Sequence, residues 1–229
     1  APGQFRALDL LLPGLSELAM RMRAAMKVLP LSARIAALIV GLIAFAALAI
    51  RFAVSLEQAG SAQAAAWTML RFFTIIGNLL TCVILFGVAL GIKAAGHPRR
   101  LAGIMLLMGL IGIVYAVLLR STENLSGPAE TSNLLLHYIA PPAVALFWLI
   151  FAPKGRLAYG DTLRWALLPL AYLAYAIVRA QLDGRYPYPF LDVARHGWMQ
   201  VGLTSAMIAA GFLVVGAVVV WLDRRIGRR

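Results

Sequence analysis

Six stretches of the chain, roughly 33–54, 68–92, 101–119, 134–152, 163–180 and 200–222, are apolar over the length a helix needs to cross a bilayer. That length is about 20 residues at about 1.5 Å each. No other feature restricts the fold so far. In hydrocarbon every backbone N–H and C=O has to be satisfied within the protein, so such stretches are confined to transmembrane helices. With 62% hydrophobic residues in 229, a soluble domain of this size lacks the interior to hide the rest. The sequence predicts an all-α integral membrane bundle of six transmembrane helices, residues 33–222, followed by a basic tail, 223–229.

A net charge of +12 would suggest nucleic acid in a soluble protein. Here its placement reads as topology. Fifteen Lys and Arg fall in the N-terminal segment, in 93–100, in 154–164 and after 223, whereas six (Arg51, Arg71, Arg120, Arg179, Arg185, Arg195) fall on the other side. The positive-inside rule puts both termini in the cytoplasm. The basic side is suited to anionic membrane lipids, and no nucleic-acid partner is expected. Residues 1–32 differ in character. Leu15, Leu18, Ala19, Met22 and Met26 are apolar at helical spacing with Arg21, Arg23 and Lys27 between them, the pattern of an amphipathic interfacial helix. The first span is expected to be retained rather than cleaved as a leader. An Ala- and Arg-rich composition suggests a bacterial inner membrane.

Cys82 is the one cysteine and lies within the second span, which leaves no disulfide framework and no cysteine metal site. Three histidines do not make a His-rich centre, and the i, i+4 pair Asp192 and His196 supplies only two ligands. No metal or cofactor is implied. GVALG at 87–91 and the glycines of the third span let helices approach closely, which reads as packing within the bundle.

Polar residues inside the spans carry the functional question. RFFTIIGNLL, 71–80, places Thr74 and Asn78 one turn apart near the outer end of the second span. His137, in LLLHYIAPP, lies at matching depth in the fourth. Pro141 and Pro142 withhold the N–H groups that the carbonyls of His137 and Tyr138 would use, and irregular backbone at membrane depth is tolerated where it is buried or lines a wet cavity. Tyr172, Tyr175 and Arg179 form a stripe on the fifth span. Tyr186, Pro187, Tyr188, Pro189 and Phe190 make a rigid aromatic segment able to cap a cavity or to serve as an interfacial belt. Thr, His and Asn together suit acyl transfer: a base takes the Thr proton, and fixed donors receive the oxyanion. Each has a plainer use, since Thr bonds the carbonyl one turn back and Asn joins helices.

FFTIIGNLL, then LLLHYIAPPAVALFWLIFAPKGRLAYGDTLRWALLPLAYLAYAIVRA and YPYPFLDV, resemble the androgen-induced-gene family of integral membrane proteins over residues 70–193. The resemblance implies a multi-span threonine hydrolase of fatty acid esters of hydroxy fatty acids, with Thr74 as nucleophile and His137 as base. Asn78, Tyr138, Tyr175, Arg179, Tyr186, Tyr188 and Asp192 are the candidates for substrate binding or the oxyanion. The expected function is intramembrane hydrolysis of a lipid ester, with a lipid substrate lying among the helices. The alternative is a lipid or small-molecule binding or transport protein that uses the same pocket without hydrolysis.

Overall fold

The structure, a computed structural model, describes residues 28–122 and 124–228. The expected amphipathic helix falls largely on residues outside that range. The described residues are helical without strands. α1 is Leu31–Ala59, α2 Ala62–Met69, α3 Phe73–Ala89, and α4 Pro98–Val114, which runs on as a π-helical turn, Tyr115–Leu119. α5, Gly127–Leu134, leads through a second π-helical turn, Leu135–Ile139, into α6, Ala140–Phe151. α7 is Gly160–Asp183; a 3-10 turn, Pro189–Leu191, precedes α8, Val193–Ile226. Five of these helical stretches are long and apolar enough to cross a membrane, and six if α2 and α3 form one bent span.

That bent pair is the main departure from the expected spans. Residues 68–92 are not one helix: α2 and α3 meet at 99°, and α3 begins at Phe73. The stretches between the expected spans are partly helical as well, over 55–59, 62–67, 127–133 and 193–199. α1 continues to Ala59 and α5 starts at Gly127. Such extensions suit an apolar or interfacial setting, where an unpaired backbone group is costly.

α4 is the central helix, with residues 101–108 all buried. α1 offers small residues (Ala33, Ala37, Gly41, Ala44, Ala47), and α3 packs closely on them. Around the girth large apolar side chains face outward, among them Val83, Val117, Leu182 and Met199. In water they would form patches far beyond those of a soluble monomer; in lipid they are the solvated face.

Ion pairs tie the two ends. At one end Arg34 donates to the Ala89 carbonyl (2.9 Å), and buried Asp161 receives Arg99 and Arg164. At this same end Asp223 accepts from the backbone N–H groups of Arg156 and Leu157. At the other end Arg71 grips Asp183 through two bonds of 2.9 and 2.7 Å. The start of α1 and the end of α8 therefore share one end of the bundle.

Candidate active site

The site grows out of the bend between α2 and α3. Turning the chain through 99° strands the carbonyls at the end of α2, which no following helical N–H can reach. Side chains of α7 meet them. Arg179 donates to the Trp67 carbonyl (2.6 Å) and lies over the Trp67 ring at 3.9 Å. Tyr175 donates to the Leu70 carbonyl (3.2 Å) and Tyr172 to that of Arg71 (2.8 Å). Arg179 also donates to the Tyr175 hydroxyl (2.6 Å). Tyr175 and Arg179, candidates for substrate contact on sequence grounds, thus form a clasp on the bend, and neither lines the cavities at Thr74.

The bend decides what Thr74 does. A threonine within a helix usually donates to the carbonyl four residues back, as Thr81 does to Gly77 (2.8 Å). For Thr74 that carbonyl belongs to Leu70, on the far side of the bend and already accepting from Tyr175. Thr74 is the second residue of α3, and its Oγ1 lies 3.2 Å from His137 Nε2.

His137 is the middle residue of the π-helical turn before the two prolines. With no N–H at Pro141 or Pro142 to continue the ladder, the helix widens by one residue. The His137 carbonyl faces Gly112 on α4, where a Cβ would stand 3.3 Å from it, so only glycine allows this approach without displacement. His137 Nδ1 lies 3.1 Å from the Asn133 carbonyl. A carbonyl only accepts, so Nδ1 carries the hydrogen. In the neutral ring Nε2 then holds a lone pair and accepts the Thr74 proton. Tyr115, first residue of the other π-helical turn, stacks on the imidazole with ring centroids 3.9 Å apart and fixes its plane. Asn133 donates through its side chain to the Tyr115 hydroxyl. π-helical turns recur at functional sites, and two face each other here.

Two cavities, of about 140 and 90 Å3, meet at Thr74, Leu119 and Tyr188. The larger is apolar, walled by α4, α7 and α8 with Leu110, Leu173 and Phe212. The smaller is the more polar of the two, with Arg51, Thr122, Asn133 and His137 among its lining residues. Tyr188 stands between them, lining both, with its ring edge-on to that of Phe72 just before α3, centroids 6.0 Å apart. Desolvation pushes this phenol above its ordinary range, against the opposing influence of Thr74, Tyr172 and Phe73. It stays protonated at neutral pH.

The other candidates lie elsewhere. Asn78 is fully buried, donates to the Thr74 carbonyl (2.9 Å) and lines neither cavity. Tyr138 is turned outward with its ring edge-on to Tyr115. Tyr186 pairs through its hydroxyl with Gln181. Asp192 caps α8 by accepting from the Arg195 N–H, and the described residues contain no cluster of three metal-ligating acidic, His or Cys side chains. Sequence reasoning missed Tyr115, Asn133 and Arg51. Asn133 was within reach of it, being four residues before His137 on the same helix. Searches of family models, curated proteins and solved structures find no match to this chain.

Proposed function

We propose that the chain is an intramembrane lipid-ester hydrolase with Thr74 as nucleophile and His137 as general base and then acid. The observation that carries this reading is the Thr74–His137 contact of 3.2 Å, with the remote ring nitrogen held by a carbonyl at 3.1 Å. It reproduces the nucleophile–base–orienter arrangement of acyl transfer. The ester carbonyl sits at the junction of the cavities, its acyl chain in the apolar one and its polar part toward Arg51. Thr74 Oγ1 attacks the carbonyl carbon as its proton passes to His137 Nε2. The tetrahedral oxyanion forms beside the Tyr188 hydroxyl and the N–H groups at the start of α3, where the helix dipole is favourable. Collapse expels the alcohol, which takes the proton from His137. Water, deprotonated by the same nitrogen, then frees the acid from the acyl-threonine.

The resemblance to the androgen-induced-gene family favours fatty acid esters of hydroxy fatty acids as substrates. The placement of charge favours six spans with both termini cytoplasmic and anionic lipid at the basic end, and the composition favours a bacterial inner membrane. The test is labelling of purified protein with a fluorophosphonate probe. An adduct on Thr74, absent from Thr74→Ala and from His137→Ala proteins that melt like the parent, is expected. No adduct in a folded parent refutes the activated nucleophile and favours a lipid-binding protein instead.

A further inference from the structure

A third hollow lies outside the two at the site. It is an apolar groove between α4 and α8, bounded by Gly109, Ile113 and Val117 on one side and Met207, Gly211 and Val215 on the other. Leu110, Val114, Ile208 and Phe212 line both this groove and the apolar cavity at Thr74. They form the partition between the cavity and the outward face. The rim residues Ile113, Val117, Met207 and Val215 are exposed, so in a bilayer the groove opens to lipid tails. At Gly109 and Gly211 a Cβ would meet no heavy atom within 4 Å. These glycines leave space unfilled instead of seating a neighbouring helix, as Gly112 does. Inside the cavity Ser205 keeps a buried hydroxyl with no partner, although a helical serine normally donates one turn back. Leaving a buried hydroxyl unpaired is costly, a cost relieved when an oxygen-bearing ligand fills the cavity.

We infer that the groove between α4 and α8 is the lateral portal of the site, through which a single long acyl chain enters from the bilayer and along which its distal end lies while the ester is held at Thr74. The inference rests on the hydrolase reading for the position of the ester. The occupant is an acyl chain because groove and cavity, separated only by the four side chains they share, are lined by apolar residues apart from Thr204, Ser205, Tyr172, Tyr188 and the nucleophile itself. A polar substrate would meet few partners along it. Larger side chains at Gly109 and Gly211 close the portal without touching Thr74, His137 or their supports.

The experiment measures hydrolysis of p-nitrophenyl palmitate and p-nitrophenyl acetate by parent, Gly109→Phe, Gly211→Phe and the double variant in nanodiscs, with Thr74→Ala as the blank. The ratio of kcat/KM for palmitate over acetate is expected to fall about tenfold in the double variant and less in each single one. An unchanged ratio in folded variants overturns the portal while leaving hydrolysis at Thr74 standing. Turnover that survives in Thr74→Ala overturns the hydrolase reading instead. The chain route is then judged by photo-crosslinking with a diazirine-bearing palmitoyl ester. Labelling of residues 204–215 that is competed by unlabelled ester and lost in the double variant supports the portal, and labelling indifferent to those substitutions refutes it.

Discussion

Arg179 separates two accounts of the aromatic and basic residues around Thr74. As a substrate ligand its loss would weaken binding; as part of the clasp its loss would release the bend. Arg179→Met keeps most of the stem and removes the guanidinium. Two hydrogen bonds go, to the Trp67 carbonyl and the Tyr175 hydroxyl (2.6 Å each), with the stacking over Trp67. Asp183 keeps Arg71. Polar contacts between membrane helices are worth about 0.6 kcal/mol each and at most about 1.7, and the cation–π contact adds about 0.5–2 kcal/mol. Release of a buried guanidinium whose Nε makes no hydrogen bond offsets part of this. The net loss is about 2 kcal/mol, and at about 2–4 °C per kcal/mol for a chain of this size the midpoint in detergent drops by about 4–8 °C. The chemical consequence follows from Leu70. With the bend loosened, the Leu70 carbonyl comes within reach of the Thr74 hydroxyl and competes with His137 for its proton. Labelling of Thr74 is therefore expected to slow by about tenfold, with KM for a lipid ester little changed. A raised KM with an unaltered midpoint would refute the clasp and make Arg179 a ligand for substrate.

Tyr188→Phe removes the hydroxyl at the start of α3 and is expected to lower kcat by about 100-fold with little change in KM, the usual cost of one oxyanion donor; steady-state kinetics beside a melting curve check it. At the opposite end His97, in the loop before α4, has its pKa pushed below the ordinary 6.5, first by burial and then by Arg99, Arg100 and Arg156. In the window between the lowered value and 6.5 the unfolded chain holds more protons than the folded one, so stability rises with pH across it. Melting midpoints from about pH 5 to 7 should show that slope, and His97→Gln should flatten it.

The helical class and most span positions were legible because a lipid-facing segment has to be long, apolar and helical. The break at 69–73 was not. MLRFF contains no Gly or Pro, and the bend is held from outside by Tyr172, Tyr175 and Arg179, more than 100 residues downstream. The polar stripe on α7 was visible, but what it meets is a property of the tertiary structure. The same limit separates Thr74 from Asn78. One turn apart on one face, they are equivalent by periodicity, yet Asn78 is enclosed and only Thr74 reaches the cavities. The π-helical turn at His137 had a sequence cause in Pro141 and Pro142; its counterpart at Tyr115–Leu119 has no comparable signal.

Thr74, His137 and Tyr115 each sit at an interruption of regular helix, and the interruptions meet. A continuous second span would return the Thr74 hydroxyl to Leu70, as Thr81 is returned to Gly77, and leave an inert helix surface. The π-helical turn lets the His137 carbonyl rest on Gly112 while the ring spans from the Asn133 carbonyl to Thr74. The turn on α4 begins at the residue whose ring covers the imidazole. A straight-helix bundle satisfies its polar groups within each helix and has none to spare. Here the backbone irregularities bring an uncommitted hydroxyl and an oriented imidazole together, and the clasp from α7 satisfies the carbonyls the bend leaves behind.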